Sequence, residues 1–130
     1  MTKVISFISR KGGSGKTTNA INLATSLHDM KKKVLLVETD PNYTLISSRK
    51  IDVFKYKLNE KKIFPIVAST DDEISEELET LKSSNVYDFV IVDSAGKTTD
   101  QGIKELCLVS DMVIITTSLT QNDLLVAYQT

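Results

Sequence analysis

The residues best equipped for chemistry stand near the start of the chain, in Lys11-Gly12-Gly13-Ser14-Gly15-Lys16-Thr17. Gly12, Gly13 and Gly15 let backbone N–H groups converge without Cβ clashes. A helical pattern follows directly, and the first turn of a helix adds free N–H groups and the positive end of its dipole. Such a turn suits a densely charged anion. Lys16 then offers its ammonium to the β and γ phosphates of a nucleoside triphosphate, and Thr17 offers a hydroxyl to magnesium. The general pattern G-x-x-x-x-G-K-[ST] would put glycine at position 10, where this chain has Arg10. The plain alternative is a glycine-rich turn ahead of an ordinary helix.

Two acids close apolar runs and extend this chemistry. Asp40, in Glu38-Thr39-Asp40-Pro41-Asn42, follows a strand-like run, and open α/β sheets bind ligands at the carboxyl ends of their strands. The same segment is also a good turn and helix cap. Asp93 ends Phe89-Val90-Ile91-Val92-Asp93, the shape of a Walker B strand whose acid holds magnesium through water. Ser94-Ala95-Gly96 next gives a turn able to sense a γ phosphate. Buried strands often end in aspartate, so Asp93 gains weight only beside the glycine loop.

The elements needed to position these residues are legible. Val4-Ile5-Ser6-Phe7-Ile8 reads as a buried strand leading into the loop. Ala20, Leu23, Ala24, Leu27 and Met30 then fall on one helical face, and Lys31, Lys32 and Lys33 follow at its end, where positive charge suits the dipole. Val34-Leu35-Leu36-Val37 is a second strand, completing a βαβ unit with an expected right-handed crossover. The polar stretch from Tyr43 to Lys62 reads as a short helix and a loop. Phe64-Pro65-Ile66-Val67-Ala68 reads as a strand at a sheet edge, because proline cannot donate to a ladder. Thr70-Asp71-Asp72-Glu73 has capping-box spacing ahead of a helix bearing Ile74, Leu78 and Leu81. Phe89–Val92 is a third apolar strand, Ile103, Leu106 and Cys107 mark a further helix, and Met112-Val113-Ile114-Ile115 a further strand. Asn122 to Thr130 is expected to begin a helix. Alternating strands and helices predict an α/β fold with a mostly parallel sheet. Continuous apolar strands place helices on both faces.

With 130 residues, the expectation is one domain, residues 1–130, with a substantial core. The composition, 41% hydrophobic and 25% charged, is that of a soluble globular chain. A net charge of -1 does not advertise a polyanionic partner for the molecule as a whole. The stretch from Arg49 to Lys62, with six basic residues and two acids, could touch DNA phosphates, or be a solvated loop. Cys107 is the only cysteine, which excludes an intrachain disulfide and fits a reducing compartment; it belongs to an apolar helix face. His28, near a helix end, reads as a surface residue with no metal cluster around it. The first residues are too polar for a signal peptide, and no apolar run reaches the length of a membrane helix. A cytoplasmic protein without membrane association is expected.

Lys11-Gly12-Gly13-Ser14-Gly15-Lys16-Thr17-Thr18 resembles the deviant Walker A motif, KGGxGKT, of the ParA/MinD family of P-loop ATPases, in which the position before the first lysine varies. Glu38-Thr39-Asp40-Pro41-Asn42 is similar to the family's D-x-D-P-Q segment, with Glu38 for its first aspartate and Asn42 for its glutamine. Phe89–Asp93 stands at the spacing of short plasmid-partition members, and Val109–Ile115 resembles the next strand. Thr117 and Ser118 stand where a proline usually follows.

The resemblance implies a P-loop nucleotide-binding fold covering nearly the whole chain and only the front part of the family domain, so that the sequence reads as truncated. It implies ATP and magnesium as cofactors, with residues 11–18 on the phosphates and Thr17 and Asp93 on the metal. Lys11, Lys16 and Asp40 become the catalytic residues. Lys11 would reach across a nucleotide-dependent homodimer, and Asp40 would orient the attacking water. A centromere-binding partition partner and non-specific DNA would be its associates. A truncated non-enzymatic partner of a full-length relative is one rival. A MinD-like membrane switch is another, and would need a C-terminal amphipathic helix. An iron–sulfur relative with the same loop would need two cysteines per chain.

Overall fold

The computed structural model describes residues 1–9, 16–39, 44–57, 63–70, 72–94, 100–116 and 124–128. In chain order they form β1 (Lys3–Ser9), α1 (Lys16–Asp29), β2 (Val34–Glu38), α2 (Thr44–Tyr56), β3 (Ile66–Ala68), α3 (Ile74–Ser84), β4 (Phe89–Asp93), α4 (Asp100–Val109), β5 (Met112–Thr116) and β6 (Leu124–Tyr128). The six strands make one sheet in the order β3-β2-β4-β1-β5-β6. Every pairing is parallel except that of β5 with β6.

The strands are apolar on both sides because helices cover both sides. On one face Val4, Ile8, Leu35, Val37, Val90, Val92 and Val113 pack with Ile74 and Leu78 of α3 and Leu106 and Val109 of α4. On the other, Phe7, Val34, Leu36 and Ile91 pack with Ala20 and Ala24 of α1, Leu45 of α2 and Phe64. The alternation along each strand follows from successive side chains pointing to opposite faces. Ala20 and Ala24 are fully buried, and such small side chains let α1 lie close to the central strands.

The helix ends follow local chemistry. After α1, Lys31 adopts a left-handed φ of 67°. Its N–H donates to His28 O at 2.9 Å, and Lys32 N–H donates to Leu27 O at 3.1 Å, a Schellman-type closure. That closure turns Met30 away from the core, and it is 64% exposed, against the expectation of a buried-face position. The predicted capping box is half formed: Thr70 Oγ1 accepts Glu73 N–H at 3.2 Å, while Glu73 makes no side-chain cap. β3 lies at the sheet edge with Pro65 just ahead of it, as the proline required.

One expectation is corrected. The segment expected to begin a helix at Asn122 forms β6 at Leu124–Tyr128, antiparallel to β5, with Met112 opposite Tyr128 and Thr116 opposite Leu124. A five-residue apolar run has no period that separates helix from strand, and here pairing with β5 decides.

Candidate functional site

The site is built at the carboxyl edge of the central strands. Chain connections leave β1 toward β2 on one side and reach β5 on the other, with β4 between β1 and β2. Such a change of direction opens a crevice at the strand ends, where α/β sheets take their ligands. β1 and β4 run in register, Phe7 beside Asp93, so the end of β4 stands next to the strand that leads to α1.

Three side chains meet there. Lys16, the first residue of α1, is 7% exposed, and Asp93, the last of β4, is 2% exposed. Lys16 Nζ donates to Asp93 Oδ1 in a buried ion pair. Thr17 Oγ1 donates to the other carboxylate oxygen, Oδ2, at 3.0 Å. Thr18 follows on the same turn and is exposed. The first turn of α1 holds no acid, so the positive end of its dipole is left for an anion from elsewhere.

The strand ends around this cluster are tied together. Ser94 N–H and Ser94 Oγ both donate to Phe7 O, at 3.1 and 2.8 Å. Thr39 N–H donates to Asp93 O at 3.1 Å. Asp93 is thereby fixed through its backbone to β2 and through its neighbour to β1, which sets where its carboxylate stands. Ser94 is buried, and its hydroxyl ties β4 to β1.

Glu38 has a role that sequence reasoning missed. It is 1% exposed, and its carboxylate accepts Leu45 N–H at Oε1, 2.8 Å, and Ile46 N–H at Oε2, 3.2 Å. A carboxylate on free N–H groups of a first helical turn is a favourable, charge-assisted cap. The cap comes from the end of β2 rather than from the residue before the helix, so no local capping signal announces it. The first turn of α2 contains no acid of its own.

Of the predicted site residues, the structure brings Lys16, Thr17 and Asp93 into one cluster. Arg10, Lys11, Gly12, Gly13, Ser14 and Gly15, together with Asp40, Ala95 and Gly96, lie outside the described residues. His28, expected at the surface, is half-buried and edge-on to Phe64, with ring centroids 5.9 Å apart. Cys107 is also half-buried, packed against the core of the α3–α4 face, and burial pushes its thiol pKa up.

The donor set fits a small hard cation beside a phosphate. Thr17 and Asp93 present oxygens alone, the ligands magnesium prefers. Among the described residues no group of three or more His, Cys, Asp or Glu gathers, so such a cation would draw the rest of its shell from phosphate and water, as magnesium usually does. Lys16 and Asp93 carry opposite charges, and a phosphate–cation pair offers the complement of each. Among the described residues no helix is long and apolar enough to cross a membrane.

Comparison with known proteins agrees with this architecture. A family model described as an AAA domain matches residues 2–85. The chromosome-partitioning ATPase Soj of Treponema pallidum is 34% identical over 122 residues, covering 72% of this chain and 48% of that protein. A plasmid partition protein of Borrelia burgdorferi, solved with bound AMPPNP, superposes with a TM-score of 0.67 at 25% identity, covering 94% of this chain and 64% of that one. The septum site-determining protein MinD of Pyrococcus horikoshii, solved with Mg-ADP, gives a TM-score of 0.61 at 24% identity, covering 88% and 57%; at that identity the likeness establishes the fold. The chain thus spans about half the length of the Soj protein and under two-thirds of either solved relative.

Proposed function

The chain belongs to the ParA/MinD family of deviant Walker A ATPases, and from that premise we propose that it binds ATP with magnesium at the Lys16–Thr17–Asp93 cluster and hydrolyses it, acting as an ATP-driven dimer switch in plasmid or chromosome segregation. The single observation that carries this reading is the convergence of a buried ammonium, a hydroxyl and a buried carboxylate at one strand end, beneath a helix N-terminus without acids.

Each residue has a role that follows from its chemistry. Backbone N–H groups of residues 11–18 cradle the phosphates. Lys16 places its ammonium against the β and γ phosphates, and Lys11 adds a second ammonium to the partner copy's nucleotide. Thr17 and Asp93 would hold the metal with oxygen ligands. When bound, magnesium supplies a compact divalent charge beside the phosphate oxygens. Asp40 accepts a hydrogen bond from the attacking water and aims it in line with the γ phosphorus. Positioning and charge neutralisation provide most of the rate in phosphoryl transfer. Glu38, by capping α2 from the end of β2, holds both ends of the short segment that carries Asp40. A centromere-binding partition protein and non-specific DNA are the partners this switch would serve, in the cytoplasm.

The test is a fluorescent-ATP titration paired with phosphate release. Lys16→Ala should abolish triphosphate binding, and Asp40→Ala should bind normally but stop turnover. Unchanged turnover in the Asp40 variant removes that residue from the mechanism; unchanged binding in the Lys16 variant removes the site.

A further inference from the structure

Two surfaces at the β3 edge of the sheet are both apolar at their centres and opposite in charge around them. α2 exposes large apolar side chains: Phe54 is 88% exposed and Ile51 63%. At i, i+3 spacing they share one helical face, and exposed Lys50 and Lys55 flank them. Over Arg49 to Lys57 the chain carries four basic residues and one acid. On the opposite face of the sheet, α3 borders a groove of about 530 Å³ whose apolar wall is Leu35, Val67, Leu81 and Tyr87. Glu76 and Glu77 stand on its rim, within a stretch, Asp72 to Glu79, that holds five acids and no base. Val67 is 41% exposed although it sits in a strand, because nothing among the described residues covers β3 on that side.

We propose that the α2 face of one copy docks into the α3–β3 groove of a second copy, forming a nucleotide-independent dimer across the β3 edge. The topology suits a closed pair. α2 packs with the α1 face of the sheet, through Leu45, and α3 with the other. A two-fold axis parallel to β3, just beyond the edge, interchanges the two faces. Each copy's α2 then lies beside the other's α3 groove, and the same contact forms twice, as an isologous interface requires. Phe54 and Ile51 fill the apolar groove, the aromatic being the type of anchor that dominates interface energetics. Lys50 and Lys55 meet Glu76 and Glu77 at the rim, where charge complementarity selects the partner and fixes the register. β2 stands between this edge and the β1–β4 crevice in the strand order, so the contact is distinct from pairing through the nucleotide.

Sedimentation velocity on the nucleotide-free chain, over a concentration series at low and high salt, tests the proposal. A reversible dimer that weakens with salt is expected, and Phe54→Ser should raise its dissociation constant roughly tenfold or more. Lys50→Glu/Lys55→Glu and Glu76→Lys/Glu77→Lys should each be monomeric, since each homodimer would then hold two like-charge contacts. Their equimolar mixture should dimerise again, because the mixed pair restores opposite charges at both contacts. All five positions are exposed, and circular dichroism checks that each variant keeps its fold. Nucleotide and magnesium are absent throughout, which separates this result from the fate of the nucleotide reading. A wild-type chain that stays monomeric throughout overturns the proposal, as does a mixture that fails to pair. Salt-sensitive binding of a DNA duplex by a chain that remains monomeric would assign the α2 face to nucleic acid and equally overturn it.

Discussion

Replacing Asp93 by alanine leaves the Lys16 ammonium in a site where it is 7% exposed, with its buried partner gone. Removing one member of a buried ion pair costs about 3–5 kcal/mol, because the other charge is left without compensation in a poorly polarisable site. The Thr17 hydroxyl also loses its acceptor, adding about 1 kcal/mol. Against a total stability of roughly 6–20 kcal/mol for a chain of this size, such a loss is a large fraction. At about 3–5 °C per kcal/mol for this size range, the melting temperature should fall by roughly 10–30 °C. The second half of the prediction is sharper. Adding Lys16→Met to an Asp93→Leu background removes both charges and leaves apolar groups of similar bulk, and such replacements of buried pairs are often neutral or stabilising. The double variant should therefore recover most of the stability that Asp93→Ala loses. Urea unfolding of the nucleotide-free protein, followed by circular dichroism, measures all three. If Asp93→Ala lies within about 1 kcal/mol of wild type, or the double variant is no more stable than Asp93→Ala, a value well short of the buried-pair cost, then the pair is not the buried, mutually dependent unit described above.

Other outcomes follow from single contacts. Glu38→Ala should cost about 1–2 kcal/mol in urea unfolding, the range for losing a helix cap that satisfies two N–H groups, with Glu38→Gln losing less. Lys31→Gly should raise stability by about 0.5–1 kcal/mol in the same assay, because glycine adopts the left-handed φ of 67° without a Cβ penalty; a loss would contradict the assigned helix closure. Cys107 should react with iodoacetamide more slowly than free cysteine near neutral pH, since burial raises its pKa and lowers the thiolate fraction; the rate should climb as pH rises, and a rate equal to free cysteine at neutral pH would refute its packing.

Much of the architecture was legible because the central strands are extreme cases. β2, β4 and β5 each carry four consecutive apolar residues, and β1 is interrupted only by Ser6 between Val4 and Ile8; a strand buried on both faces needs that composition. Lys16, Thr17 and Asp93 were legible as a set because a glycine loop, a helix start and a strand-terminal acid have a fixed spatial relation in a parallel sheet. What escaped depended on distant partners. β6 owes its state to pairing with β5, which no local period announces. The short helix read after Tyr43 is α2, but its face was poorly marked because apolar side chains fall on more than one side of it: Leu45 is buried while Ile51 and Phe54 are exposed. Glu38 was read as a substituted family aspartate, and its capping of residues seven and eight positions on could not be seen until β2 and α2 were placed together.

The central claim is that a triphosphate with magnesium is held where α1 begins, at the ends of β1 and β4. Backbone amide shifts in a ¹⁵N–¹H correlation spectrum, recorded while Mg-AMPPNP is titrated in, test it most directly. The amides of Lys16, Thr17, Thr18 and Ser94 should move together and saturate, while those lining the cleft of about 400 Å³ between α1 and α2, around His28 and Phe64, stay in place. Saturable shifts confined to that cleft, or none at Lys16 to Thr18, would contradict the account.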